Sequence, residues 1–259
     1  MQADSLIIGY IQPDLIWEDW QANITNLDRL IAQLDQQVDL LLLPEMFASG
    51  FAIEPQRVAQ DMSGAVVQWL THTAARMQCV CMGSQVIVEE GRYYNRLLSV
   101  APDGTLAHYD KRHLFSYAGE NEHYIPGNHR LIQSVKGWQV CPLVCYDLRF
   151  PVWSRNDVDY DVLIYVANWP APRVEAWKAL LRARAIENLC YVVGVNRVGE
   201  DPLSNRYVGA SSAYDMTGHL ICASPAEEDV RTITLNLAAL RQFRSEYNFL
   251  ADRDRFTIH

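Results

Sequence analysis

The chain has 259 residues, 49% of them hydrophobic, and a formal charge of −9. A chain of this length buries most of its apolar surface without disulfides or metals. Its acidic balance argues against the basic footprint of nucleic-acid binding and against attraction to anionic membranes.

The first residues, MQADSLIIGYIQPDL, lack the basic n-region and unbroken apolar core of a signal peptide. No apolar run approaches the ~20 residues that span a bilayer. A soluble, cytoplasmic protein is expected. Taken in order, LIIGYI, DLLLL, CVCMGSQVIV, RLLSVA, QVCPLVC, DVLIYVA and LCYVVGVN read as strands. They are short, rich in branched residues and bounded by turn signals. Helical periodicity appears over about 17–36, with Ile24, Leu27, Leu30, Ile31 and Leu34 on one face. It appears again over about 66–77 and 173–188, the last with Trp177, Leu180, Leu181 and Ile186 apolar. EEGRYYN joins two strand-like runs, and DMTGHL joins YVGASSAY to HLICAS, so hairpins accompany the strand–helix–strand units. The class that follows is α/β with mixed sheets and helices on the sheet faces.

There is no internal repeat, low-complexity stretch or clear linker, so residues 1–259 are expected to form one domain. The polar stretch from Ser116 to His129 is too long for a simple connection, and such loops are often functional. The segment after Leu240 is polar and aromatic, and reads as a tail from about 241 that must pack within this subunit or at a subunit interface. The six cysteines, at 79, 81, 141, 145, 190 and 222, include no C-x-x-C pair. Free thiols in a reducing compartment fit best, and five of the six read as small buried hydrophobes.

Reactive side chains fall at three strand ends. DLLLLPE ends in Glu45, LAHYDK in Lys111 and QVCPLVC in Cys145. Ligands of α/β sheets bind beyond the carboxyl ends of strands, so the three could share a site. A cysteine attacks as thiolate and needs a base or positive surroundings. Glu45 could take the thiol proton and return it to a leaving amine, and Lys111 could hold the oxyanion. Pro151 suits a first helical turn soon after Cys145. The sharp turn this implies would expose the sulfur and aim the Tyr146 backbone N–H at the same oxyanion. Each residue alone would read as core or surface. Their order and spacing together make the chemistry.

LLLPEMF, YDKRHLF and VCYDLRFP, in this order, resemble the three signature blocks of the nitrilase superfamily. The resemblance runs from IGYIQPDLIWED to SSAYDMTG, nearly the whole chain. It implies a four-layer α–β–β–α sandwich and a catalytic triad of Glu45, Lys111 and Cys145, with no metal or organic cofactor. It also implies a second glutamate several residues before a Pro-Gly. In GENEHYIPG this falls on Glu120, with Glu122 the alternative. Many members carry a glutamate after RFP, where this chain has Val152. The seven histidines include no metal-ligand spacing, although His113, close to Lys111, is a rival base for Cys145.

LPEMFASGF, YDKRHLF and VANWPAPR most resemble the omega-amidase branch. That branch deamidates omega-amides of 2-oxo dicarboxylic acids such as 2-oxoglutaramate and 2-oxosuccinamate. A substrate of this kind needs a cation or helix N-terminus at its distal carboxylate, and Arg173, where the third helix begins, is the candidate. Phe47, Tyr117 and Trp169 are candidate walls of a small pocket. Arg149 is expected to brace the turn through an ion pair. The resemblance further implies a homodimer joined through helices near the nucleophile strand. Another aliphatic amidase or a nitrilase, and a silent binding protein on the same fold, are the alternatives.

Overall fold

The computed structural model describes residues 3–258. In chain order the elements are β1 (Ser5–Gln12), α1 (Trp20–Ile31), β2 (Leu40–Leu42), α2 (Ala65–Met77), β3 (Val80–Glu89), β4 (Arg92–Val100), β5 (Leu106–Asp110), α3 (Glu120–His123), β6 (Gln133–Val135) and β7 (Trp138–Val144). They continue with α4 (Pro151–Ser154), β8 (Val162–Val166), α5 (Val174–Asn188), β9 (Tyr191–Val195), β10 (Val198–Glu200), β11 (Arg206–Val208), β12 (Ser212–Tyr214), β13 (Leu220–Ala223), β14 (Asp229–Asn236) and α6 (Leu237–Glu246). Two six-stranded sheets result, ordered β14-β1-β2-β3-β4-β5 and β13-β12-β9-β8-β7-β6, with β10 and β11 forming a separate ribbon.

Side-chain alternation explains why the sheets stack. Leu6, Ile8 and Tyr10 of β1 and Leu40 and Leu42 of β2 join a core with Val140, Val162 and Ile164 of the second sheet. The neighbouring Ile11, Leu41 and Leu43 pack with Leu27 and Leu30 of α1 and Leu70 of α2. A period of two thus sends alternate residues to the other sheet and to the helices. On the far side, α5 lies so close to β9 that a Cβ on Gly194 would meet Leu181 at 2.4 Å and Trp177 at 2.7 Å. The α–β–β–α sandwich follows.

The expected helices are present with different bounds. The first starts at Trp20 because Asp19 caps it, accepting from the Ala22 amide at 3.0 Å, and because Glu18 is left-handed at φ 54°. The third starts at Val174, with Ala171–Arg173 as a 3-10 turn before it. The β3–β4 turn is Glu90–Gly91, both with positive φ, as a two-residue hairpin of the primed type requires. The segment around Leu240 is not a loose tail. Leu237 and Leu240 of α6 are buried, and the Arg244 guanidinium donates to the carbonyls of Leu189 and Tyr160 in the same chain.

Topology brings the reactive ends together. β2 and β3 are parallel, β3 and β4 antiparallel, and β4 and β5 antiparallel, so β2 and β5 point the same way. In the second sheet β7 and β8 are parallel. Glu45 follows β2, Lys111 follows β5, Cys145 follows β7 and Asn168 follows β8.

Candidate active site

Glu45, Lys111 and Glu120 are fully buried and in direct contact. The Lys111 ammonium donates to Glu45 Oε1 at 2.9 Å and to Glu120 Oε2 and Oε1 at 2.8 and 3.1 Å. Gly127 N–H donates to the Lys111 carbonyl, and a Cβ there would stand 2.1 Å from the Asp110 carbonyl oxygen, so only glycine passes. Glu120 begins α3 inside the polar stretch that follows the second sequence block. Its Oε2 also accepts the Phe115 amide at 2.6 Å. Glu122 is exposed and takes no part in this cluster.

Glu45 is held from a second direction. Its Oε2 accepts the Asn168 backbone N–H at 2.8 Å, and its own carbonyl accepts the Asn168 side-chain amide at 2.6 Å. Asn168 stands just past a strand end, in VANWP, and so met the criterion that singled out the other three residues. Asn95 lies inside a strand, where sequence offers no such signal. Its amide donates to Glu45 Oε1 at 2.8 Å and Glu120 Oε1 at 3.1 Å.

Cys145 sits at φ 47°, a left-handed conformation that costs a non-glycine residue about 1–3 kcal/mol. A 3-10 turn over Cys145–Arg149 and Pro151 at the start of α4 follow it. The buried Asp147 carboxylate holds this turn, accepting from the Val144 amide at 3.0 Å and from Tyr109 Oη at 2.7 Å. The Glu45 carboxylate and the Lys111 ammonium both act electrostatically on the sulfur. Burial, with the Glu45 carboxylate next, pushes the Cys145 thiol well above the usual range, against the pull of Lys111. The resting nucleophile is therefore a thiol. Burial draws the Lys111 ammonium downward, but the Glu120 and Glu45 carboxylates outweigh it and hold the lysine well above its usual range. Lys111 is a fixed cation.

Lys111 and Cys145 face a cavity of about 200 Å³, which Tyr146, Trp169, Arg173 and the mostly exposed Tyr117 also line. Phe115 is the hub of its aromatic wall, 5.0 Å from the Tyr146 ring, 5.6 Å from Tyr117 and 6.4 Å from Phe51. Arg173 lies over the Phe115 ring at 5.2 Å. Trp169 is fastened by its indole N–H to the Arg173 carbonyl at 2.7 Å.

Two expected placements differ. Phe47 does not line the cavity. It is fully buried against Trp69, ring centroids 5.8 Å apart, on the helix-facing side of the first sheet. The turn that points Glu45 inward sends Phe47 the other way, and Phe51 supplies the wall instead. Arg149 forms no ion pair among the described residues. The Arg149 guanidinium instead lies 5.0 Å over the Trp169 ring on the cavity wall. His113 is engaged elsewhere, with Nδ1 2.8 Å from Asp147 Oδ1 and its ring stacked on Phe150 at 3.7 Å. Among the described residues no group of three His, Cys, Asp or Glu side chains is placed to hold a metal.

A model of the carbon-nitrogen hydrolase family matches residues 7–245. The omega-amidase YafV of Escherichia coli (strain K12) is 46% identical over 256 residues, covering 98% of each chain. The 2-oxoglutaramate amidase of Bacillus subtilis (strain 168) is 30% identical, covering 92% of this chain and 93% of the relative. The solved structure of a CN-hydrolase superfamily protein of Xanthomonas campestris, which carries an arsenic adduct in its active site, superposes with a TM-score of 0.96 at 43% identity. It covers 99% of this chain and 100% of that one.

Proposed function

The chain belongs to the carbon-nitrogen hydrolase family, and from that premise we propose that it is an omega-amidase with Cys145 as nucleophile, releasing ammonia from the terminal amide of 2-oxo dicarboxylic acid monoamides such as 2-oxoglutaramate and 2-oxosuccinamate. It is a hydrolase of carbon–nitrogen bonds other than peptide bonds. The observation that carries the mechanism is the buried Glu45–Lys111–Glu120 cluster with Cys145 on a left-handed turn at the same cavity.

Glu45 takes the thiol proton as sulfur bonds to the amide carbon. The carbonyl π pair moves to oxygen, where the Lys111 ammonium and the Tyr146 N–H hold it. One such donor is worth ~10²–10³ in rate. Collapse of the intermediate breaks the carbon–nitrogen bond, and Glu45 returns its proton to the departing ammonia. A thioester remains. Glu45 then takes a proton from water, the hydroxide adds to the thioester carbon, and collapse releases the acid with the thiol restored. Glu120 orients Lys111.

The cavity suits a carboxylate. Arg173 and Arg149 line it without a hydrogen-bonded counter-ion among the described residues, and Arg173 is the N-cap of α5, where the helix dipole favours an anion. Tyr146, Trp169 and Tyr117 enclose the substrate chain. A cavity of about 200 Å³ fits an acid of four or five carbons better than a drug-sized ligand, which needs ~300–1,000 Å³.

The six cysteines are all free, which supports a reducing, cytoplasmic compartment. Tyr247 and Phe249 beyond α6 are exposed, which supports a homodimer that covers the C-terminal segment. The substrate reading is tested by ammonia release over matched amides with and without a 2-oxo group and a terminal carboxylate. Fastest turnover of the 2-oxo omega-amides is expected. Equal or faster turnover of a neutral amide or a nitrile would overturn it.

A further inference from the structure

Asn95 is 1% exposed, and no feature of its sequence position marks it. Its amide nitrogen stands between two carboxylates, 2.8 Å from Glu45 Oε1 and 3.1 Å from Glu120 Oε1. Its oxygen accepts from Ser84 Oγ at 2.8 Å, and Ser84 Oγ accepts from the Met46 backbone N–H at 2.9 Å. Chemistry fixes the direction of this chain of bonds. A backbone N–H only donates, which leaves the Ser84 hydroxyl hydrogen for Asn95. A carboxylate only accepts, so Asn95 must turn its two amide hydrogens toward Glu45 and Glu120. The chain closes on itself. It begins at the amide that follows Glu45 and ends on the Glu45 carboxylate.

We propose, resting on the amidase reading above, that Asn95 is a positioning residue for Glu45, a neutral double donor that lets Glu45 and Glu120 sit side by side without sharing a proton, so that Glu45 meets the Cys145 thiol as a free base. Two carboxylates and one ammonium leave an excess negative charge among fully buried side chains. Carboxylates in that position tend to share a proton unless donors separate them. A Glu45 that already held the proton could not accept the one on sulfur. A second cation between the carboxylates would also keep the proton away, but it would compete with the thiol for the base. An amide supplies two hydrogens and no charge.

Groups from each neighbouring element bear on this cluster. Lys111 enters from the end of β5, Glu120 from α3 and Cys145 from the end of β7. Tyr124, past α3, donates its hydroxyl to the Ala52 carbonyl at 2.5 Å, and Tyr207 on β11 donates to Asp201 at 3.0 Å. Of these, Lys111 is the cation. Its ammonium already gives hydrogens to both carboxylates, so it cannot replace the Asn95 bonds without losing its own.

The test uses the full chain with Asn95→Ala and, separately, Ser84→Ala. The first readout is the rate of Cys145 alkylation by iodoacetamide across pH, with the site located by peptide mass. The second is ammonia release from 2-oxoglutaramate. For Asn95→Ala, alkylation and kcat should both fall by about tenfold or more at neutral pH, a fraction of the ~10²–10⁴ a positioned base supplies. The acidic limb of both profiles should move to higher pH, with KM changed less than about threefold. Ser84→Ala frees the Asn95 amide to turn, and should move the profiles the same way by less. Profiles that stay in place in both variants, with losses that follow only the folded fraction, would overturn the proposal. If Asn95→Ala does not fold, the Ser84→Ala profile decides alone: a shift upholds the proposal and no shift overturns it. A wild-type chain that alkylates at Cys145 yet releases no ammonia from any omega-amide would sink the substrate reading, and alkylation would still decide the role of Asn95.

Discussion

Tyr109 donates its phenolic hydrogen to Asp147 at 2.7 Å, and that bond ties the strand that delivers Lys111 to the turn that delivers Cys145. Both partners are buried. The Asp147 carboxylate also takes the Val144 amide just before the nucleophile and the His113 amide just after the lysine. One side chain therefore sets the distance between the two sequence blocks. Tyr109→Phe removes a hydrogen bond to a buried charged group, and such bonds contribute ~1.5–3 kcal/mol. Thermal unfolding should show a loss of at least that size, because the Arg112 amide and the Trp153 indole N–H also lose the Tyr109 hydroxyl as acceptor. The acylation rate should fall with it, because the left-handed Cys145 turn loses a brace. Unchanged stability and rate would show that Val144 and His113 suffice.

Much of this site was legible because strand ends are legible. Glu45, Lys111 and Cys145 each close an apolar run, and the sheet order makes the three ends converge. Arg173 was legible for the same kind of reason, standing where helical periodicity begins. The failures have physical causes. Phe47 and Phe51 are four residues apart in one loop, and only the backbone turn after Glu45 decides which ring faces the cavity. Arg149 was expected in an ion pair, but its guanidinium lies over the Trp169 ring on the cavity wall instead. Asn95 is a polar residue inside a strand, and its role depends on β4 lying between β3 and β5. β14 is absent from the strands expected above, although Ile233 and Leu235 alternate inward against polar neighbours.

The state of the nucleophile gives a prediction of its own. Burial and the Glu45 carboxylate hold the Cys145 thiol above its usual range, so it stays protonated at neutral pH and gives up its proton only as it attacks. Thiolate absorbance near 240 nm should be the same in the wild type and in Cys145→Ala up to about pH 8, below the ordinary thiol value of ~8.5. An extra titration step near neutral pH in the wild type would contradict this. The same Cys145→Ala chain should fold normally and release no ammonia, and near-normal release would remove Cys145 as nucleophile.

The two cavity arginines separate binding from chemistry. Arg173→Ala should raise KM for 2-oxoglutaramate by about tenfold or more, the scale of ~1.5–3 kcal/mol for a hydrogen bond to a charged group. It should leave KM for a neutral aliphatic amide within about twofold. Arg149→Ala should act in the same direction if its guanidinium swings from Trp169 to the substrate. Steady-state kinetics on the paired amides decide this. An equal rise for charged and neutral substrates would take Arg173 out of the carboxylate role and leave it as a clamp on Phe115 and Trp169.

Lys111 carries a double burden, and pH separates its parts. Lys111→Met keeps most of the side-chain length but leaves Glu45 and Glu120 buried without their cation. Removing one partner of a buried ion pair costs ~3–5 kcal/mol. Burial, opposed by Lys111 and assisted by Glu45, raises the Glu120 carboxyl above its usual range. Without the opposing cation it should rise further. A carboxyl raised in the folded state favours folding below its unfolded value, and that advantage is lost as pH climbs through the folded value. In Lys111→Met the destabilisation should therefore be largest near neutral pH and should shrink on acidification, as a proton on Glu120 replaces the missing charge. The wild type runs differently at the other end. Its Lys111 ammonium, held well above the usual range, contributes fully below the ordinary lysine value and loses that contribution as pH rises from there through the raised folded value. Denaturant unfolding of both chains between about pH 5 and pH 9 would measure the Lys111→Met effect, below the region in which the wild-type lysine titrates. A Lys111→Met loss that stays constant across that window would mean that the carboxylates find other donors. Activity should not return with stability at low pH, because methionine offers no hydrogen to the oxyanion.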